Sequence, residues 1–262
     1  MEYRPFTIEV PQRDLDDLRA RLGRTRWPNE LQPQGWDRGT ELEFLQELTR
    51  YWLEEYDWRV VEKSLNRYPH FITQAQGLEL HFVHEKSGSA DAVPIVLLHG
   101  WSDSFYRFSH LIELLTRTAE GEGGVVFDVV VPSLPGFDFS AQPGTGQAGA
   151  TFAAASVAEL MAGLGYEQYF VHGGDWGSAV AQEIARNHPD RVMGLHQAVD
   201  AVLRSERLTG RSGRLVDRTL RAVVGTVAGE GRSHHERDAL LVRQHHSLVD
   251  PLLQRRDGRR LE

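Results

Sequence analysis

The sequence predicts an α/β protein with a doubly wound, mostly parallel sheet, and two observations carry that prediction. From residue 78 onward, apolar runs of strand length recur between Gly and Pro: "LELHFVHE" (78–85), "VPIVLLHG" (93–100), "VVFDVVVPSLPG" (125–136) and "YFVHGG" (169–174). Runs this rich in β-branched and aromatic residues belong to strands covered on both faces, as in a parallel sheet. Stretches of helical length and composition, 152–163 and 178–187, stand on either side of the last run and read as the crossovers that parallel strands require. Such sheets bind ligands at the carboxyl ends of their strands.

Ahead of the sheet, residues 13–22 set Leu15, Leu18 and Leu22 on one helical face, and residues 41–53 do the same with Leu45, Leu48 and Trp52. Thr40-Glu41-Leu42-Glu43 reads as a capping box for the second helix, Thr40 accepting free N–H groups while Glu43 reaches back. "TRWPNE" and "PQGWDRGT" carry turn residues, so the first seventy residues are expected to be helices strung on loops. Trp27, Trp36, Trp52 and Trp58 are expected to pack that segment onto the main domain. The expected division is 1–85 for this N-terminal domain, 86–196 for the core and 197–262 for a tail. Residues 197–262 contain no Phe, Tyr, Trp, Ile, Met or Lys and much Arg. With Leu, Val and Ala as its main apolar side chains, the tail is expected to be disordered and to leave the sheet incomplete.

Bulk properties narrow the function. A chain of 262 residues suits one main α/β domain, and its net charge of -8 argues against a nucleic-acid or anionic-membrane surface. No cysteine is present, which removes disulfides, thiolate metal sites and a Cys nucleophile, and fits a cytoplasmic location. The first twenty residues carry charges and no run reaches the roughly 18 apolar residues of a membrane span, so no leader and no span are expected. Partners are expected to be small molecules or proteins.

The stretch "FVHGGDWGSAV" (170–180) reads as strand, Gly-rich corner and helix start, with Asp175 at the apex. A strand that turns abruptly into a helix through small residues holds its central side chain exposed at the top of the sheet. Gly173, Gly177 and Ser178 are the small residues, and the helix N-terminus favours an ionised Asp175. A carboxylate there suits attack on an electrophilic sp³ carbon, forming an ester that water can cleave. The other reading is an Asp that merely caps the helix. "LLHGWSDSFYRF" (97–108) adds a turn able to aim the Trp101 N–H at the site opposite that of Trp176, a pair fit for an oxyanion hole. His99 reads as scaffold.

With these motifs the chain resembles the epoxide hydrolases of the microsomal type, within the α/β-hydrolase superfamily. "RPFTIEVP", "DLRARLGRTRWPNE", "GWDRGT", "YWLEEYDWR", "LNRYPHF" and "GLELHFVH" resemble that family's N-terminal domain; "HGWSDSFYRF", "VVVPSLPGFDFS", "LGYEQYFVHGGDWGS" and "RNHPDRVMGLH" resemble its catalytic half. The resemblance implies an α/β-hydrolase fold and hydrolysis of a small hydrophobic epoxide to a vicinal diol, without metal or organic cofactor. It implies roles for Asp175 as nucleophile and for the Trp101 and Trp176 N–H groups as oxyanion hole, in detoxification or aromatic-hydrocarbon catabolism. Ser102 stands where the family usually carries Pro.

The resemblance ends near His196. The family also uses lid tyrosines and a His with an acid partner, and no Tyr follows Tyr169. His188, His196, His234, His235, His245 and His246 remain as bases, with Asp217, Asp238 and Asp250 as partners, and spacing selects none of them. His188 lies in "ARNHPDRV", a structural turn by resemblance, and nothing supports a metal on the His doublets. Read one base out of frame, codons for the stretch from His196 permit "TKPSTLSYGPNDSPVG", and those from His234 permit "TTSVTLYWFASTIASSIRFY", both similar to the family's lid and post-lid region. A slipped reading frame near His196 is therefore expected. The alternatives are a non-catalytic remnant of the family and a haloalkane dehalogenase, which shares the Asp nucleophile.

Overall fold

The computed structural model describes residues 1–29, 36, 39–117 and 125–198. They fall into two units, Ile8–Ser64 being one and Met1–Thr7 with the chain from Leu65 onward the other. Nearly all of the Arg-rich stretch lies outside the described residues.

In the first unit, helices α1 (Gln12–Gly23), α2 (Leu42–Glu54) and α3 (Trp58–Leu65) follow one another, the last not foreseen. The expected capping box does not form. Helix α2 starts later, Glu41 is the capping residue with extended backbone, and no side chain caps it. That places Glu43 only two residues past the cap, where a box needs its Glu at the third. Glu62 knits the unit together: its Oε1 accepts the Val10 N–H at 2.7 Å and the Trp58 indole N–H at 3.0 Å, and its Oε2 takes Arg59 Nη1 at 2.7 Å. Burial would raise its pKa, but these donors hold it below the ordinary value. Of the four tryptophans, Trp36 and Trp52 stay about half exposed, Trp36 against Phe44.

The second unit is built on one seven-stranded sheet. Its strands are β1 (Tyr3–Phe6), β2 (His70–Ala75), β3 (Leu78–Glu85), β4 (Val93–Leu98), β5 (Phe127–Pro132), β6 (Tyr169–Gly174) and β7 (Val192–Ala198), in the order β1-β2-β3-β5-β4-β6-β7. Strands β4 to β7 are parallel, as expected. Two expectations are corrected on the other side. The first seventy residues hold β1 and the start of β2 rather than only helices and loops, and β3 is antiparallel to both its neighbours. A doubly buried strand looks the same whichever way it runs; the two-residue turn at Gln76 (φ 51°) and Gly77 (φ 73°) decides it, because positive φ at both positions closes a hairpin.

Helices α4 (Ser109–Thr116), α5 (Ala150–Gly163) and α6 (Trp176–Asn187) make the crossovers, the latter two where the sequence put them. Phe82, Val96 and Val130 of the sheet pack with Leu160 of α5 and Ile184 of α6, all fully buried. Full burial of each such side chain contributes about 1.5–3 kcal/mol. This is the sheet of an α/β-hydrolase, and it lifts the β6–α6 corner to the carboxyl ends of the parallel strands.

Candidate active site

Asp175 joins β6 to α6 with φ 51° and ψ -125°, a left-handed backbone that costs a non-glycine residue about 1–3 kcal/mol. Close packing imposes it. A Cβ on Gly173 would strike the Gly177 carbonyl, and one on Gly177 would strike the carbonyl oxygens of Leu98 and His99. The buried Ser178 hydroxyl donates to Gly173 O at 2.8 Å, and the Ser178 N–H to Asp175 O at 2.9 Å. Asp175 does occupy the cap position of α6, yet its side chain makes no capping hydrogen bond. Its Oδ1 instead accepts the Trp101 N–H at 2.9 Å.

The turn after β4 makes that contact available. A Cβ on Gly100 would lie 2.5 Å from Asp175 Cβ and Oδ1, so only glycine lets the turn come so near. His99 is fully buried beneath it, its Nε2 accepting the Leu134 N–H at 3.0 Å and its Nδ1 donating to Gly100 O at 3.0 Å. Desolvation holds this imidazole below its ordinary pKa, and both ring nitrogens are engaged in scaffold. The Trp101–Ser102 peptide is cis, and with Ser102 in that place the Trp101 N–H still meets the carboxylate.

Hydrogen bonding by the Trp101 N–H, then by the Trp176 N–H, lowers the Asp175 pKa, and the Arg107 cation adds to the effect. The carboxylate is exposed, between Trp101 (71% exposed) and Trp176 (54%). A cavity of about 190 Å³ opens beside Trp176, lined by Leu134, Pro135, Phe137, Phe152 and Val180 among others. An ionised, strained carboxylate with the Trp101 N–H on it, the Trp176 N–H beside it and an apolar cavity at hand is equipped to bond to carbon rather than to hold a metal. Among the described residues, no cluster of three or more His, Cys, Asp or Glu could hold a metal ion, and no helix is long and apolar enough to cross a membrane.

The histidines proposed as bases fare differently. His196 on β7 pairs with His172 on β6, Nδ1 to Nδ1 at 2.8 Å with the rings stacked. His188 ends α6, its N–H on Ile184 O at 2.8 Å and its O taking the Arg191 N–H at 3.0 Å, a structural turn. His234, His235, His245 and His246, with Asp217, Asp238 and Asp250, lie outside the described residues. Among the described residues, the groups that lower the Asp175 pKa are the Trp101 and Trp176 N–H groups and Arg107. Sequence reasoning missed Arg107 and Gly100; the i, i+4 spacing of Asp103 and Arg107 was the signal for the first.

Known proteins resemble this chain over most of its described length. Residues 3–108 match the family model described as "Epoxide hydrolase N terminus" and residues 93–197 the one described as "alpha/beta hydrolase fold". The chain is 45% identical over 194 residues to the "Putative epoxide hydrolase" of Stigmatella aurantiaca, spanning 73% of this chain and 44% of that protein. It therefore covers under half the length of that relative. The Aspergillus niger epoxide hydrolase structure superposes with a TM-score of 0.70 at 34% identity, over 80% of this chain and 55% of that one. The structure of juvenile hormone epoxide hydrolase from the silkworm Bombyx mori gives 0.68 at 34%, over 76% and 53%.

Proposed function

The chain belongs through residues 3–197 to the epoxide hydrolase family of the α/β-hydrolase fold, and from that premise we propose that Asp175 is the nucleophile that opens an epoxide. The observation that carries this reading is the Asp175 carboxylate, held at φ 51° with the Trp101 N–H 2.9 Å from its Oδ1. A carboxylate oxygen attacks a ring carbon, the carbon–oxygen bond breaks, and the electron pair passes to the ring oxygen, which takes up a proton. Water then adds to the ester carbon, and the Trp101 and Trp176 N–H groups hold the resulting oxyanion until the diol leaves and the carboxylate returns. The substrate is a small hydrophobic epoxide, in keeping with the apolar cavity beside Trp176. We propose beside it the division at 1–85, 86–196 and 197–262, a slipped reading frame near His196, which the coding DNA tests, and a cytoplasmic place in detoxification.

A second reading is favoured by where the described candidate bases stand, His196 paired with His172 and His188 in a turn: the described residues complete only the first step, and the ester accumulates. The test is incubation with an aryl epoxide, reading both protein mass and diol. Adduct plus diol indicates the full hydrolase; adduct without diol indicates the half-reaction. Asp175→Asn is expected to abolish both. No adduct and no diol would overturn the proposal, and halide release from a haloalkane would point to a dehalogenase.

A further inference from the structure

Arg107 has no part in the steps above, yet its placement ties it to them. It lies on the 3-10 turn Phe105–Phe108, and its Nη1 meets Asp103 Oδ2 at 2.9 Å, with only 27% and 22% of the two side chains exposed. Asp103 is itself fixed: its Oδ1 accepts the Ser104 N–H at 2.8 Å, and its N–H reaches Gly100 O at 3.3 Å, inside the turn that presents Trp101. At the other end, a Cβ on Gly174 would lie 3.5 Å from Arg107 Nη1, so the guanidinium packs against the residue before Asp175. One cation thus touches both arms of the site.

We propose that Arg107, clamped by Asp103, is a positioning residue that fixes negative charge at the elbow between the Trp101 turn and Asp175. This rests on the nucleophile reading for its chemical meaning. Ester formation removes the charge from Asp175, and addition of water to the ester restores it as an oxyanion on the same atoms. A cation held there favours both charged states over the neutral ester, keeping the resting nucleophile ionised and speeding release of the diol. The Trp101 and Trp176 N–H groups face the carboxylate, while around the guanidinium stand Asp103, Asp175, the His99 imidazole with Asp138 beside it, and His172 on β6 with its partner His196. Burial first, then His196 and the guanidinium, act against protonation of His172, and burial also holds His99 low against the pull of Asp138 and Asp103.

The test reads Asp175 without needing catalysis. Coupling of a carboxyl to an amine by a water-soluble carbodiimide proceeds through the protonated acid, so labelling at about pH 5.5 reports how well the charge is held. Peptide mass spectrometry of the full-length protein follows Asp175, with the exposed carboxylates as internal references. Arg107→Met is expected to raise Asp175 labelling about 3- to 10-fold, while Arg107→Lys stays within about twofold of the parent. If Arg107→Met loses its near-ultraviolet circular dichroism, Asp103→Asn/Arg107→Met is read instead with the same expectation, since it leaves no unpaired buried charge. Unchanged labelling in the folded charge-free variant overturns the proposal, even if its melting temperature falls. Absence of both epoxide adduct and diol in the parent protein would instead overturn the nucleophile reading and leave the carbodiimide result standing.

Discussion

The β6–α6 corner and the β2–β3 hairpin are both tight reversals of one sheet, and each carries a non-glycine residue at φ 51°, Asp175 and Gln76. They are held in opposite ways. At the corner, backbone packs on backbone, and missing Cβ atoms at Gly173, Gly177 and Gly100 decide whether the parts fit. At the hairpin, nothing lies within 4 Å of a Cβ on Gly77, and Gln76 is steadied by its N–H on Glu159 Oε2 at 2.9 Å. Strain enclosed by packing persists as a reactive geometry, whereas strain facing open space is an ordinary turn.

Substitutions should separate the two. Gly177→Ala has the largest expected effect, about 3 kcal/mol or more of lost stability in urea denaturation, because its Cβ meets the carbonyls of Leu98 and His99. A loss below about 1 kcal/mol would show that the corner yields more readily than its packing implies. Gly100→Ala crowds the Asp175 side chain itself, so the protein should still fold while adduct formation slows about 100-fold. Unaltered labelling kinetics would count against the close approach of the Trp101 turn.

Buried imidazoles on both sides of the sheet, His84 and His81 on β3 and His172 on β6, should weaken the fold in acid. His84 on β3 is buried, its Nε2 2.9 Å from the Tyr166 hydroxyl, which donates to Asp128 Oδ2 at 3.1 Å. Desolvation lowers its pKa to about 4 from an ordinary 6.5. The unfolded chain therefore binds the proton first, and stability falls as pH drops from about 6.5 to about 4, levelling off below, by up to about 3 kcal/mol from this residue. His84→Gln should lessen, without abolishing, the pH dependence of the urea midpoint across that window, since His70, His81, His99 and His172 are also held low by burial; an unchanged slope would mean His84 contributes nothing to it. At the small end, Gln76→Asn should change stability by no more than about 0.5 kcal/mol, since Asn tolerates positive φ and keeps the N–H bond to Glu159. A larger loss would show that the turn depends on its Gln side chain.

The corner was legible in the sequence because its chemistry fixes residue types: glycines where no Cβ fits, and a carboxylate at the apex. The parallel strands were legible because double burial leaves continuous apolar runs at 93–98 and 129–132. The antiparallel side was not. Strand β1 has four largely exposed residues, Pro5 among them, and no alternation to read. Strand β2 begins at the buried His70, a residue satisfied only by tertiary partners, its Nδ1 on His81 Nε2 at 3.0 Å and its Nε2 on Leu65 O at 2.9 Å. The hairpin signal, Gln-Gly rather than Asn-Gly, was equally quiet. Arg107 escaped because an i, i+4 pair with Asp103 looks in sequence like any solvated helix pair.

The central claim is that the corner, and not any other carboxylate, reacts with carbon. Peptide mapping of the protein after a single exposure to an aryl epoxide at neutral pH tests it most directly. One ester on the peptide carrying Asp175, absent from Asp175→Asn and removed by mild alkali, is the predicted result. Adducts spread over the exposed Asp and Glu residues, or retained in Asp175→Asn, would contradict it.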